Sequence, residues 1–448
     1  MKNVLILGAG QSAPRLISYM LEEASKNEWF VTVCDRDYEL ANRRINGHPN
    51  GTAIEFDVND ENMRGTLIEN TDIVINFLSP SFQYVIALEC LKHGKHVVTA
   101  SYENPRVADF NKDAIRKGII ILNEMGLDPG IDHMTAMEII QKIRDKDGYV
   151  KSFISYGSAI PAPEVLSNPL RYCITWNARN VVMAGETGAQ YMEGGQIKLI
   201  SHPQLFKRTW NVDVEGVGTL EAYPNRDSLI YQDIFELKKA DTVIRGTLRY
   251  PGWSETWLQI IKLGITNEHL VIPDLKNRTY REVMEMLIPL HSNGAGPETR
   301  IAHFLDINPT GKIMGNLKWL GLFSGEKIGV DLKTPAELMA YILNKKLPLP
   351  KDARDMVILM HEIIGVYPKE NDRKEKITAT FIEYGEPGGD TAIAKTVGLP
   401  AAIAAKLILK NELPITGCHI PMHPAIYTRV LAELKEIGFQ FHEKMENI

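Results

Sequence analysis

The turn at residues 8–13 has the residue types and the spacing that bind a pyrophosphate. It follows the short apolar run 3–7, precedes a helical pattern of apolar residues, and reads Gly8-Ala9-Gly10-Gln11-Ser12-Ala13. Small residues at such positions let the backbone approach a pyrophosphate, and the start of the helix offers unpaired N–H groups. We therefore expect a dinucleotide site here. The alternative is a Rossmann domain that binds no nucleotide.

Asp35 and Arg36 end the second predicted strand and favour different dinucleotides. An acidic residue at this place can accept hydrogen bonds from the adenine ribose, which favours NAD. An arginine can pair with a 2′-phosphate, which favours NADP. The two residues leave NAD and NADP open, and a solvated charge pair in a loop is the remaining interpretation.

Polar and charged side chains alternate along the predicted strand 242–250. Residues two apart in an extended strand share one face, so Arg245, Thr247 and Arg249 should project together at spacings of about 7 Å. Two cations and a hydroxyl on one face suit an anion, and guanidinium groups bind carboxylates through two parallel hydrogen bonds, so this face predicts a site for an anionic ligand. The alternative is a solvated sheet face on which the arginines pair with nearby acids.

Asp128 follows a predicted strand and precedes a predicted helix. A carboxylate just beyond a parallel strand is well placed to act as a general acid or base, so Asp128 is our catalytic candidate. Three alternatives stay open. Asp128 could cap the helix with Pro129 in its first position, it could bind a substrate ammonium group, or His133 could relay protons instead.

The elements that must position these residues change in type along the chain. Short apolar strands separated by helices of about ten residues predict a doubly wound parallel sheet, with its ligand beyond the carboxyl ends of the strands. After residue 150, alternating polar and apolar residues predict a largely antiparallel sheet. Helical periodicity dominates residues 276–372, and residues 377–384 look like one returning strand.

We therefore expect an α/β protein of three parts. A Rossmann dinucleotide-binding domain would comprise residues 1–125 and 392–448, because its sheet needs helices on both faces, including a helix at 391–409 broken by Pro400. An α/β substrate domain would comprise residues 126–275 and 373–391, and a helical insertion residues 276–372.

Composition narrows the class of partner. The 448 residues are 44% hydrophobic and 24% charged, which is typical of a globular protein. A net charge of -6 argues against nucleic-acid and anionic-membrane partners, and we see no apolar stretch near the ~18 residues of a membrane span. The four cysteines are scattered without zinc-binding spacing, so we expect no metal site. A cytoplasmic protein that acts on a small molecule fits best.

Residues 126–133 read Gly-Leu-Asp-Pro-Gly-Ile-Asp-His, and this segment resembles the GLDPGIDH segment of the saccharopine dehydrogenases that form glutamate, also called saccharopine reductases. Further stretches that resemble that family in order are 160–164, 168–170, 224–228, 242–250, 353–357 and 394–400. The resemblance covers nearly the whole chain. It implies a Rossmann domain, an α/β substrate domain with a helical insertion, NADP(H) as cofactor and usually a homodimer.

The resemblance also implies a reaction on an amino-acid substrate. The family oxidises the secondary amine of saccharopine to an imine and hydrolyses it to glutamate and 2-aminoadipate 6-semialdehyde, and the reverse direction makes saccharopine for lysine biosynthesis. Ser101 and Asp128 would touch substrate and nicotinamide, while Arg226 and the strand 246–249 would hold the substrate carboxylates. The residues implied to border the nucleotide are Asp57, Val58, Phe77, Leu78, Ser79, Ser101 and Leu127.

Two departures from the family pattern matter. Where the family usually has Ser-Tyr-Cys-Gly-Gly, this chain has Ser155-Tyr156-Gly157-Ser158-Ala159, so that a substrate-side cysteine is missing. Asp35 replaces an uncharged residue ahead of the arginine that pairs with NADP. The first departure leaves open a related reductase that joins a different amine to an aldehyde, such as a carboxynorspermidine dehydrogenase. The remaining alternative is a protein that binds the cofactor and catalyses no reaction.

Overall fold

The computed structural model describes residues 1–165, 168–290 and 296–448. The chain forms two compact units. Unit 1 comprises Met1–Val150, Met356–Leu359 and Gly365–Ile448, and unit 2 comprises Lys151–Asp355 and Met360–Ile364. The three-part division expected from the sequence stays a prediction.

Unit 1 begins with alternating strands and helices, as the sequence predicts. The strands are short and apolar, and β4 is buried at every residue, which is typical of a parallel sheet covered on both faces. The elements are β1 Lys2–Leu7, α1 Pro14–Asn27, β2 Trp29–Asp35, α2 Tyr38–Ile45, β3 Gly51–Glu55, α3 Glu61–Glu69, β4 Ile73–Asn76, α4 Gln83–His93, β5 His96–Thr99, α5 Pro105–Ala108, α6 Asn111–Lys117, β6 Ile120–Leu122 and α7 Ile131–Arg144.

Unit 2 contains a mixed sheet and most of the remaining helices. Its elements are β7 Tyr149–Pro161, which starts in the last residues of unit 1's first segment, α8 Ala178–Met183, β8 Ala189–Glu193, β9 Gln196–Ile200, β10 Trp210–Val214, β11 Gly218–Pro224, α9 Ile230–Ile234, β12 Thr242–Arg249, α10 Trp253–Leu263, α11 Tyr280–Met286, α12 Pro297–Leu305, α13 Lys312–Trp319, α14 Pro335–Lys346 and β13 Asp355–Tyr367. Strand β13 contributes residues to both units.

The strands of unit 2 run in the order β10-β11-β12-β7-β13, and β8 pairs with both β12 and β9. The pairs β10–β11, β11–β12 and β8–β9 are antiparallel, but β12 and β7 are parallel. Antiparallel pairing therefore predominates among these pairs, as expected, and β12–β7 is the exception. Alternation of polar and apolar residues shows that the two faces of a sheet differ in polarity. It does not show whether neighbouring strands are parallel or antiparallel.

The last part of the chain returns to unit 1. Its elements are β14 Arg373–Tyr384, α15 Ala392–Leu409, β15 Gly417–His419, α16 Pro424–Ile437 and β16 Phe441–Asn447, which pairs antiparallel with β14. The main sheet of unit 1 has the order β15-β6-β5-β4-β1-β2-β3, and all its pairs are parallel. This order reverses direction between β1 and β4, which confirms the doubly wound fold.

Strand β13 lies inside the range 276–372 that we expected to be helical, and this part of the expectation was wrong. The helices α11 to α14 end at Lys346, and the strand begins at Asp355. Eleven of its 13 residues are buried. A continuous apolar run has no period that separates a buried strand from a buried helix, so only the neighbouring strands decide its conformation.

Helix α15 corrects a second expectation. It has 18 residues and is long and apolar enough to cross a membrane, so the statement that no apolar stretch approaches this length was wrong. However, 83% of it is buried inside the protein. A Cβ added at Gly398 would lie 2.9 Å from the backbone nitrogen of Leu16 in α1, so the two helices touch closely. The helix also continues through Pro400. We therefore regard α15 as a core helix of unit 1.

Candidate functional site

The residues predicted to border the nucleotide lie at one edge of the sheet of unit 1. Because β1 to β6 are parallel, the segments that follow their carboxyl ends meet at the same edge. These segments are residues 8–13 after β1, Asp35 and Arg36 at the end of β2, Asp57 and Val58 after β3, residues 77–79 after β4, Ser101 after β5, and Leu127 and Asp128 after β6. The edge includes the β1/β4 position at which doubly wound folds bind their ligands.

The glycine turn is packed tightly against the end of β4. Gly8 has a φ of 99°, and a Cβ added there would lie 2.8 Å from the carbonyl oxygen of Phe77. The Gly8 N–H donates to the carbonyl oxygen of Cys34 at 2.8 Å. At Gly10 a Cβ would meet no atom within 4 Å, so the turn has open space on that side. Both features suit a backbone that approaches a bulky anion.

We expect Gly8→Ala to lower the free energy of unfolding by about 1–3 kcal/mol, because the new methyl group meets Phe77 and the φ is unfavourable for alanine. Thermal or urea denaturation measures this. Gly94→Ala is the matched control, since Gly94 also has a positive φ but open space around it. Equal losses in the two variants would contradict the close approach.

Asp35 and Arg36 have different partners. The Asp35 carboxylate accepts hydrogen bonds from the N–H of Ala9 at 2.7 Å and from the N–H of Asp37 at 3.0 Å. Arg36 Nη2 lies 3.0 Å from Asp57 Oδ1 on the exposed surface. Hydrogen bonds from Asn59, and then the Arg36 guanidinium, hold the pKa of Asp57 below its ordinary value. Asp35 is therefore attached to the glycine turn, whereas Arg36 is paired with a carboxylate.

Asp128 lies in a tight loop between β6 and α7. The N–H of Gly126 donates to the carbonyl oxygen of Pro129 at 3.0 Å, and the N–H of Gly130 donates to Asp132 Oδ1 at 2.7 Å. Helix α7 begins at Ile131 with Gly130 as its N-cap, so the alternative in which Asp128 caps the helix was wrong. The loop holds the half-buried Asp128 at the carboxyl edge of the sheet.

Tyr102 is a residue of this site that the sequence analysis missed. Its hydroxyl donates to Asp128 Oδ1 at 3.2 Å. Ser101 precedes it, and the Ser101 carbonyl oxygen accepts the N–H of Glu124 at 3.0 Å, which ties the end of β5 to the Asp128 loop. The position of Tyr102 directly after Ser101 was the available signal, because residues after neighbouring parallel strands share one edge.

His133 is fully buried beside acidic side chains. Its Nδ1 lies 3.2 Å from Asp132 Oδ1 and 3.8 Å from Glu124 Oε2. Glu124 also acts on Glu103: burial of the Glu103 carboxyl, and then the Glu124 charge, raise the pKa of Glu103. The local packing expected for His133 is present, and its role in proton relay stays a prediction.

In unit 2 the alternation along β12 forms a continuous polar face. Tyr223 lies opposite Thr247 and Glu221 opposite Arg249 on β11, so that their side chains share the face of the arginines. Gly157, which stands where the resembling family usually has cysteine, lies opposite Thr247 on β7. The position at which the cysteine side chain is missing therefore lies on this same face.

The two arginines of this face are not solvated. Arg245 is 5% exposed; its Nη1 donates to the Tyr231 hydroxyl at 2.6 Å, and its guanidinium carbon lies 4.5 Å from the centre of the Tyr231 ring. Arg249 is 7% exposed, and its guanidinium carbon lies 5.0 Å from the Tyr172 ring and 5.9 Å from the Trp253 ring. The alternative of a solvated face is therefore wrong for both residues.

Arg249 has hydrogen-bonding capacity left in this site. Its Nη1 donates to the carbonyl oxygen of Leu248 at 2.8 Å, but its buried Nε has no hydrogen-bond partner among the residues that the structure describes. A buried guanidinium with an unsatisfied donor is costly unless an anion pairs with it. This donor set fits a ligand carboxylate.

Arg226 lies at the end of β11 and differs from the other two arginines. Its side chain is exposed, and its backbone has a φ of 51°. The preceding residue, Asn225, donates its N–H to the carbonyl oxygen of Arg245 at 2.8 Å, which places Arg226 beside β12. The structure thus brings all three predicted arginines to neighbouring positions of unit 2, with one of them exposed.

Family models match both parts of the chain. The "Saccharopine dehydrogenase NADP binding domain" matches residues 4–122, and the "Saccharopine dehydrogenase C-terminal domain" matches residues 126–439. The first match covers the parallel strands and the glycine turn. The second begins at the Asp128 loop and covers the arginine face.

Two relatives are similar to this chain along their full length, and a longer one along part of its length. The NADP(+)-dependent, L-glutamate-forming saccharopine dehydrogenase of Schizosaccharomyces pombe is 32% identical over 452 residues, with 99% of each chain covered. That of Saccharomyces cerevisiae is 31% identical with the same coverage. The alpha-aminoadipic semialdehyde synthase of Arabidopsis thaliana is 31% identical, and this chain spans 45% of its length.

A solved structure shows the same fold. The apo saccharopine dehydrogenase (L-Glu forming) from Saccharomyces cerevisiae superposes with a TM-score of 0.88 at 29% identity, with all of each chain covered. The two family models together span most of this sequence, and the full-length relatives agree with them. The chain therefore belongs to the saccharopine dehydrogenase family.

Proposed function

We propose that the chain is an oxidoreductase that interconverts saccharopine with glutamate and 2-aminoadipate 6-semialdehyde, using NADP, in lysine metabolism. The observation that carries this proposal is the buried arginine face of unit 2, with the unsatisfied donor of Arg249, in a chain similar along its length to L-glutamate-forming saccharopine dehydrogenases. Saccharopine has three carboxylates, and arginines are the side chains best suited to bind them.

The residues at the sheet edge of unit 1 fit a dinucleotide. The close approach at Gly8 and the open space at Gly10 leave room for a pyrophosphate beside the turn. Residues 77–79 and Ser101 follow the adjoining strands β4 and β5. When bound there, the nicotinamide cofactor supplies the acceptor or donor of the hydride.

The side chains of the chain itself have three tasks in this proposal. Arg245, Arg249 and Arg226 bind carboxylates and thereby orient the substrate. Asp128 accepts the proton of the secondary amine and returns it to the leaving amine when water has added to the imine. Tyr102, which donates to Asp128, keeps this carboxylate in one orientation.

Steady-state kinetics with saccharopine test the proposal. We expect turnover with NADP, and we expect Arg226→Ala to raise the KM for saccharopine by about tenfold, because a charged hydrogen bond to a carboxylate is lost. The exposed position of Arg226 makes loss of folding a poor explanation for such a change. Absence of turnover with both NADP and NAD, together with an unchanged KM on the variant, would end the assignment.

Panels of amines and aldehydes separate the alternatives left open by Gly157. A reductase for a different amine would reduce another amine and aldehyde pair faster than glutamate with 2-aminoadipate 6-semialdehyde. A non-catalytic protein would bind the dinucleotide and turn over no pair.

We also propose that the protein is a cytoplasmic homodimer without nucleic-acid or membrane partners. A net charge of -6 supports the absence of anionic partners, and the four cysteines are unpaired, three of them buried. Light scattering should give twice the chain mass of 50.4 kDa, and a value of one chain mass would refute the dimer.

A further inference from the structure

We propose that the dinucleotide site of this chain also binds NAD(H), and that Asp35 is the residue that makes it do so. The inference concerns the preference of the site between NAD(H) and NADP(H). It rests on the proposed function in one respect, which is that NADP is one of the ligands. It is carried by the placement of Asp35, Arg36 and Arg44 around the glycine turn.

The carboxylate of Asp35 is held in a fixed orientation beside the turn. Its Oδ2 accepts the N–H of Ala9 at 2.7 Å, and its Oδ1 accepts the N–H of Asp37 at 3.0 Å. An ionised carboxylate has about four acceptor sites, so these two bonds leave capacity for ribose hydroxyls. An acidic residue at the end of the second strand is the group by which dinucleotide folds bind the ribose of NAD.

The same carboxylate opposes NADP. A 2′-phosphate replaces a hydroxyl donor by a group with a charge of about -1.5 to -2, which Asp35 repels. Arg36 attracts it, but Arg36 Nη2 already lies 3.0 Å from Asp57 Oδ1. A second cation, Arg44, reaches the turn with its Nε 3.5 Å from the carbonyl oxygen of Ala9.

Both cations and carboxylates therefore lie near this end of the site. Arg36 pairs with Asp57, and Arg44, which lies at the turn, is attracted by Asp390, so that cations and carboxylates offset one another and neither the hydroxyl nor the phosphate form is rejected. A site selective for NADP would lack the carboxylate, and a site selective for NAD would lack the arginine. This chain has both groups, and both dinucleotides bind.

Equilibrium titration of the full-length protein with NADH and NADPH, followed by nicotinamide fluorescence, tests the inference. We expect the wild-type Kd for NADH to lie within about 100-fold of that for NADPH. Asp35→Asn retains an oxygen for Ala9 and removes the charge. It should shift the ratio of the two Kd values toward NADPH by at least about tenfold.

Asp37→Asn is the matched control. It removes one negative charge two residues away, and asparagine still caps α2, where Asp37 accepts the N–H of Leu40. We expect the Kd ratio of this variant to stay within about twofold of the wild type. If both aspartate variants change the ratio equally, or if the wild-type protein shows no saturable NADH binding in the stated range, the inference is wrong.

A second variant covers the case in which Asp35→Asn does not fold. Arg36 is exposed, so Arg36→Met should fold. It should raise the Kd for NADPH by at least about tenfold and leave the Kd for NADH within about twofold of the wild type. Equal weakening of both dinucleotides would overturn the inference. The titrations contain no amino-acid substrate, so a failure of saccharopine turnover and a failure of NADH binding are separate results.

Discussion

Replacing Arg249 by methionine should raise the KM for saccharopine at least about 100-fold, while the Kd for NADPH stays within about twofold. Arg249 is 7% exposed, and its Nε has no hydrogen-bond partner in the part of the chain that the structure describes, so a bound carboxylate would be its partner. Without the arginine that carboxylate would be buried unpaired, and loss of such a charged partner costs about 3 kcal/mol or more. Steady-state kinetics and a separate NADPH titration measure the two effects.

Two further variants show whether the effect belongs to this guanidinium. Arg249→Lys should recover less than about a tenth of the loss, because an ammonium group cannot form two parallel hydrogen bonds to a carboxylate or stack on Tyr172 in the same way. Arg208→Met removes a half-exposed arginine of the same unit, which pairs with Glu193, and should leave the KM unchanged. A KM for Arg249→Met near that of Arg208→Met would refute the role in carboxylate binding.

Gly130→Ala should destabilise the protein by about 3 kcal/mol or more and reduce kcat by at least about tenfold. Gly130 has a φ of 146°, and a Cβ there would lie 2.0 Å from the carbonyl oxygen of Gly126. The loop would have to open, and Asp128 would leave its place beside Tyr102. Thermal denaturation and kinetics under conditions where the variant is folded measure the two changes.

Gly118→Ala is the control for this prediction. Gly118 ends α6 with a φ of 66°, and a Cβ there meets no atom within 4 Å. We expect a loss of only about 1 kcal/mol and no change in kcat. A Gly130→Ala variant as stable and as active as Gly118→Ala would show that the loop does not need the close contact.

Local sequence patterns were sufficient for much of the unit 1 fold. The apolar runs, the glycine turn and the helices between strands predicted the doubly wound sheet, because parallel strands buried on both faces differ strongly in pattern from amphipathic helices. The apolar run of β13 was misread as helical. Helix α15 was correctly predicted as a helix, but its continuity through Pro400 and its membrane-spanning length were missed. In both cases most residues are apolar and buried, so periodicity is weak and only the neighbours in space distinguish strand from helix and core from membrane.

The chain by itself determined which residues share a face, because a strand period of two places Arg245, Thr247 and Arg249 on one side of β12. Only the tertiary structure decided how those side chains are used. Burial against Tyr231 and Tyr172, the bond from Tyr102 to Asp128, and the attachment of Asp35 to Ala9 join residues that are 14 to 77 positions apart in the sequence. Such contacts form when separate elements pack together, and no local spacing records them.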